Sequence, residues 1–98
     1  LRVDLYLMGV TGVHAESGLT TGDFEEAAVK RALHQRAAET VVLASLDKLG
    51  TASPFSVAPL RELAALVVPA ATPQALRKKL QAGGAKVEIA AGNQAIRR

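Results

Sequence analysis

The stretch TVVLAS, residues 40–45, constrains the fold more than any other part of the chain. It is rich in β-branched residues and apolar on both alternating faces, which is how a strand buried on two sides of a parallel sheet reads. A parallel neighbour requires a crossover connection, and the preceding sequence supplies one. Residues 3–10, VDLYLMGV, are mostly apolar and read as a buried strand. Asp23 then has the character of a helix N-cap, with Glu26 placed to reach back to the free amide. From residue 24 to about 38, Phe24, Ala27, Ala28, Leu33 and Ala37 recur near helical spacing, while Glu25, Lys30, Arg31, Gln35 and Arg36 take much of the remaining surface. Strand, helix and strand make a βαβ unit, whose crossover is right-handed in about 98% of cases.

Between the first strand and the helix, residues 11–22 (TGVHAESGLTTG) carry three glycines and no sustained periodicity. They read as a long loop, and long loops in compact domains are often functional. Residues 50–59 hold two prolines and form a connection, with a short extended piece at 55–57 and a helical turn over 60–64. ALVVP, residues 65–69, gives a third strand that Pro69 ends. Thr72 suits an N-cap with Pro73 at the first helical position, and QALRKKLQA runs as a second helix to Gly83 and Gly84. KVEIA, residues 86–90, alternates and reads as a strand near a sheet edge; AGNQAIRR, residues 91–98, reads as a frayed tail. The expected fold is α/β: a mostly parallel open sheet of about four strands with two main helices. Two helices leave one sheet face incompletely covered, so residues 1–98 read as one domain that is part of a larger three-layer α/β/α unit or that forms a homo-oligomer.

Ninety-eight residues suffice for a single core, and with 3% aromatics that core must be built from Ala, Val and Leu. No run approaches the roughly 18 apolar residues of a membrane span, and the start is strand-like rather than a signal peptide, so a soluble, cytoplasmic protein without membrane contact is expected. The absence of cysteine excludes disulfides and thiolate metal sites from this stretch. A net charge of +3 does not by itself indicate nucleic acid, because the basic residues gather neither with aromatics nor in a recognition-helix pattern. Arg77, Lys78 and Lys79 read as a solvated helix face. His14 and His34 lie twenty residues apart without a ligand set around them, and neither a metal nor a cofactor is expected. No dinucleotide fingerprint, Walker loop or nucleophile elbow is present.

In open parallel sheets ligands bind outside the carboxyl ends of the strands. The segment after the first strand brings Thr11, Gly12, His14, Gly18, Thr20 and Thr21 to that edge, and the end of the second brings Ser45, Asp47 and Lys48. The helix starting near Asp23 points its amide-rich end there as well. Such a set suits a phosphorylated or carboxylated small molecule. Read alone, Glu26 serves equally as a cap paired with Lys30, and Lys48 as a solvated turn residue.

Taken in order, VDLYLMGVTGVHAESGLTTGDFEEAAVKRAL and VVLASLDKLG resemble the latter part of the sensor domain of DeoR-family transcriptional repressors. The match rests on Asp4, Gly9, Gly12, Gly18, Leu19, Thr20, Glu26, Ala27, Lys30, Lys48 and Gly50, and covers roughly residues 2–70. The resemblance implies a sugar-phosphate-sensing domain related in fold to ribose-5-phosphate isomerase. In the full-length protein a winged helix-turn-helix domain, absent from these residues, would contact DNA. It implies a phosphorylated sugar or sugar alcohol as effector, with the acidic and lysine positions lining its pocket; the expected effector-binding residues are Glu26 and Lys48 as polar contacts and Gly12, Gly18 and Thr20 shaping the loop, with no catalytic role. The chain departs from the family pattern at Ser45, where an aspartate is frequent, and at Val68 and Pro69, where a Thr-Asp pair is frequent. Two other readings stand beside the sensor: a sugar-phosphate isomerase with Glu26 as base and Lys48 as its electrostatic partner, and a module for oligomerisation.

Overall fold

A computed structural model describes residues 3–90. The elements run β1 (Val3–Met8), β2 (Gly12–His14), β3 (Gly18–Thr21), α1 (Phe24–Arg36), β4 (Ala37–Leu43), β5 (Phe55–Ala58), β6 (Ala65–Val68), α2 (Gln74–Ala82) and β7 (Val87–Ile89), with 3-10 turns at Leu46–Lys48 and Leu60–Glu62. The expected α/β fold is present. Strands β1, β4, β6 and β7 form one parallel sheet in that spatial order, with β7 at an edge. The tail at residues 91–98 lies outside the described residues.

Residues 11–22 differ from the expected loop. They fold into the hairpin β2–β3, which β5 extends to a three-stranded antiparallel sheet in the order β2-β3-β5. Strands of three and four residues are too short to display a period, and β3 is buried along its whole length despite two threonines. This small sheet packs against the parallel one. Tyr6, Met8, Thr40, Val42, Leu66 and Val68 face it and the helices, meeting Val13, Leu19, Ala27, Leu49, Leu60, Leu63 and Leu80 in one core. A fully buried leucine or valine contributes roughly 1.5–3 kcal/mol of transfer free energy.

Helix α1 begins where expected, because the Asp23 carboxylate accepts the N–H groups of Glu25 and Glu26 at 2.8 and 3.2 Å. Its orientation is not the expected one. Only Ala27 is buried; Phe24 and Leu33 are exposed, while Arg31 and His34 turn inward. Polar partners hold this face: Arg31 donates to the Ser56 carbonyl at 2.6 Å, and His34 lies 2.8 Å from Thr40 Oγ1 and 2.9 Å from Glu62 Oε1. Phe24 instead meets Phe55 edge to face at 5.7 Å. Strand β4 likewise departs from burial on two sides, since Thr40 and Val42 are buried but Leu43 is exposed. At α2 the cap position is Pro73 rather than Thr72, whose buried hydroxyl makes no hydrogen bond. Among the described residues no helix is long and apolar enough to cross a membrane.

Candidate functional site

Thr20 and Thr21 are adjacent in β3, so their side chains leave opposite faces of the strand. Both are about 1% exposed, and each organises a separate group of polar residues. Thr20 Oγ1 donates to the Gly12 carbonyl at 3.3 Å and accepts the Ser53 N–H at 2.8 Å. Gly12 fits because it has no side chain: a Cβ would lie 2.5 Å from Thr20 Oγ1 and 2.7 Å from the Thr51 carbonyl. Thr11 Oγ1 and Ser53 Oγ are 2.7 Å apart, Thr51 Oγ1 donates to the Lys48 carbonyl at 3.0 Å, and the Gly50 N–H donates to the Val13 carbonyl at 2.7 Å. The segment after β4 is thereby strapped across the β2–β3 hairpin.

Lys48 rides on that strap. It closes a 3-10 turn beyond the end of β4 rather than ending the strand itself. Its Nζ donates to Asp47 Oδ2 at 3.2 Å, and Ser45 Oγ donates to Asp47 Oδ1 at 2.6 Å. The Ser45 hydroxyl, followed by the hydrogen bond and charge of Lys48, holds the exposed Asp47 carboxyl below its ordinary value. Ser45 thus positions the carboxylate two residues later.

Thr21 serves the other side, donating to Glu26 Oε1 at 2.9 Å. Glu26 therefore does not complete the expected capping box, and its carboxylate is turned toward β3. Tyr6, Asp23, Glu25, Glu26, Val29 and Lys30 line an open cavity of about 370 Å³ at this end of α1. Burial pushes the Tyr6 phenol above its usual range. The N-terminus of α1 adds a partial positive charge to a wall otherwise rich in carboxylates.

The expected site residues thus form two groups on either side of β3: Gly12, Thr20 and Lys48 on one, Glu26 on the other. No Glu26–Lys48 ion pair occurs among the described residues. Gly18 is elsewhere, at the turn end of the hairpin opposite His14, with φ of +77° and its α-carbon face against the Ala58 carbonyl. It shapes the hairpin. His14 Nδ1 accepts the N–H groups of Glu16 and Ser17 in that turn, and no cluster of metal-ligating side chains occurs among the described residues. Tyr6, Thr51 and Ser53 were not singled out from sequence as site residues. Thr51 and Ser53 carried no signal beyond being hydroxyls in a connection.

The family model described as DeoR C terminal sensor domain matches residues 1–69. The chain belongs to this family. Similar curated proteins are the HTH-type transcriptional regulator GlpR of Haloferax volcanii, 32% identical over 86% of this chain, and the HTH-type transcriptional repressor GlcR of Bacillus subtilis, 34% identical over 90%. The HTH-type transcriptional regulator GolR of Listeria innocua is 32% identical over 92%. These alignments cover 33%, 34% and 35% of the three relatives, so this DeoR sensor chain spans about a third of their length. All three are named as transcriptional regulators or repressors, in accord with the family resemblance of the sequence.

Proposed function

We propose that the chain is the C-terminal part of the effector-sensing domain of a DNA-binding transcriptional regulator, and that its effector is a phosphorylated sugar or sugar alcohol. DNA would be contacted through a separate helix-turn-helix domain of the full-length protein. The observation that carries this reading is the placement, on the two sides of β3, of a hydroxyl-rich strap bearing Lys48 and an open cavity bearing Glu26. Lys48 supplies a cation for phosphate, and Glu26 accepts hydrogen bonds from sugar hydroxyls. Thr20 and Gly12 hold the strap at its place, and Gly18 sets the hairpin. Regulation requires the effector to bind two states unequally, since equal affinity shifts nothing. The strap, seated in the core by Leu49 and tied by hydroxyls at Thr11, Thr51 and Ser53, is an element able to respond.

The isomerase reading needs Glu26 and Lys48 at a single reacting carbon, a closer arrangement than the sensor reading, which needs them only at different parts of one effector; their present partners are Thr21 and Asp47 respectively. The test is a proton-exchange assay alongside calorimetry on the full-length protein with a panel of sugar phosphates. Saturable binding without exchange is expected; exchange at the carbon next to the carbonyl would establish the enzyme instead.

A further inference from the structure

The turn of the β2–β3 hairpin, the strap and α2 meet at one place. His14 and Ala15 of the turn, Gly50 of the strap, and Leu76, Lys79 and Leu80 of α2 line a cavity of about 50 Å³. The three α2 positions share one helix face, being three and four residues apart. Leu80 is fully buried and Leu76 packs against the core, so this face contributes an apolar wall. The turn is seated closely on the end of α2, since a Cβ on Gly83 would run into the Ala15 carbonyl. None of the side chains lining the cavity belongs to the two polar groups about β3.

Two polar groups stand in this lining. His14 Nδ1 accepts the N–H groups of Glu16 and Ser17 at 3.1 and 3.2 Å, which commits its lone pair to the turn and leaves the ring proton on Nε2. Nε2 has no hydrogen-bond partner among the described residues, and Lys79 has no ion-pair partner among them. The cavity thus offers one N–H donor and one ammonium, and among the described residues no carboxylate lines it. A single water needs roughly 10–15 Å³ of such space, so the cavity suits a ligand of about four or five non-hydrogen atoms.

We propose that this cavity binds a small monocarboxylate of acetate to propionate size. The two carboxylate oxygens accept from His14 Nε2–H and the Lys79 ammonium, and the alkyl carbons lie on Leu76 and Leu80. Inorganic phosphate matches less well: two donors satisfy only part of its oxygens, and the rest would face leucine without partners. Gly50 is the strap's share of the wall, and its N–H already donates to the Val13 carbonyl at 2.7 Å. Carboxylate binding therefore fastens the strap to the hairpin and α2, and couples a second small ligand to the segment that carries Lys48.

The test uses full-length protein with isotope-labelled leucine methyl groups, titrated with propionate, acetate or inorganic phosphate at constant ionic strength. Propionate and acetate are expected to shift the Leu76 and Leu80 methyl signals saturably, and phosphate to leave them in place. Lys79→Met keeps the apolar stem without the charge and is expected to weaken propionate binding about tenfold or more. His14→Asn retains a side-chain acceptor for the turn, loses the Nε2 donor, and is expected to weaken it as well. Exchange of the Gly50 amide is expected to slow when propionate is added to the unsubstituted protein. The proposal is overturned by the absence of a saturable shift, by a larger response to phosphate, or by unchanged propionate affinity in either variant. Unchanged exchange at Gly50 overturns the coupling to the strap. None of the probes is a sugar phosphate, so the outcome is independent of the effector reading.

Discussion

Lys48 shares its charge with Asp47 across 3.2 Å, and the side chain is about 38% exposed, so an incoming anion competes with one exposed carboxylate rather than with a buried partner. Lys48→Ala is therefore expected to weaken binding of a phosphorylated effector by at least about 1.5 kcal/mol in calorimetry, the lower range for hydrogen bonds to charged groups. The Asp47 carboxyl gives a second handle. Because its folded value is depressed, any favourable contribution is present above the ordinary carboxylate range and is lost as pH falls through the folded value. Ser45→Ala removes the first cause of that depression, and the Asp47 midpoint followed by carboxyl NMR is expected to move upward. Glu26 and Lys48 stood out in the sequence because charges beside a helix start and beyond an apolar strand are conspicuous. Thr51 and Ser53 did not, since a hydroxyl in a loop acquires meaning only when the fold brings Thr20, thirty-three residues away from Ser53, against it.

Helix α1 owes its start to Asp23, and Asp23→Ala is expected to cost about 1 kcal/mol in denaturant unfolding, the usual loss for an N-cap. Gly12→Ala must displace Thr20 or the Thr51 carbonyl, and overpacking of this kind costs about 1–3 kcal/mol. Its effect is expected to include faster amide exchange at Ser53 and Gly50, whose N–H groups tie the strap down. The α2 span, residues 74–82, was legible because Pro73 and the two glycines punctuate it. The inward face of α1 was not, because hydrophobic periodicity cannot reveal a helix seated through Arg31 and His34. The hairpin escaped for a related reason: Thr20 and Thr21 are buried by hydrogen bonding, and a polarity pattern marks them as loop.

On the scale of the whole molecule, a pattern of apolar strands separated by one long helix revealed the parallel sheet, while the small antiparallel sheet required pairing between segments more than thirty residues apart. TVVLAS carries apolar residues for two buried faces, but among the described residues only one is covered. The sensing role depends on the two polar groups about β3 acting on one ligand. Isothermal titration of the full-length protein with sugar phosphates, repeated for Lys48→Ala and Glu26→Gln, tests this most directly. At least one phosphorylated sugar should bind saturably without turnover, with affinity reduced about tenfold or more by Lys48→Ala and also reduced by Glu26→Gln. Unchanged affinity in both variants, or turnover of the sugar, would contradict it.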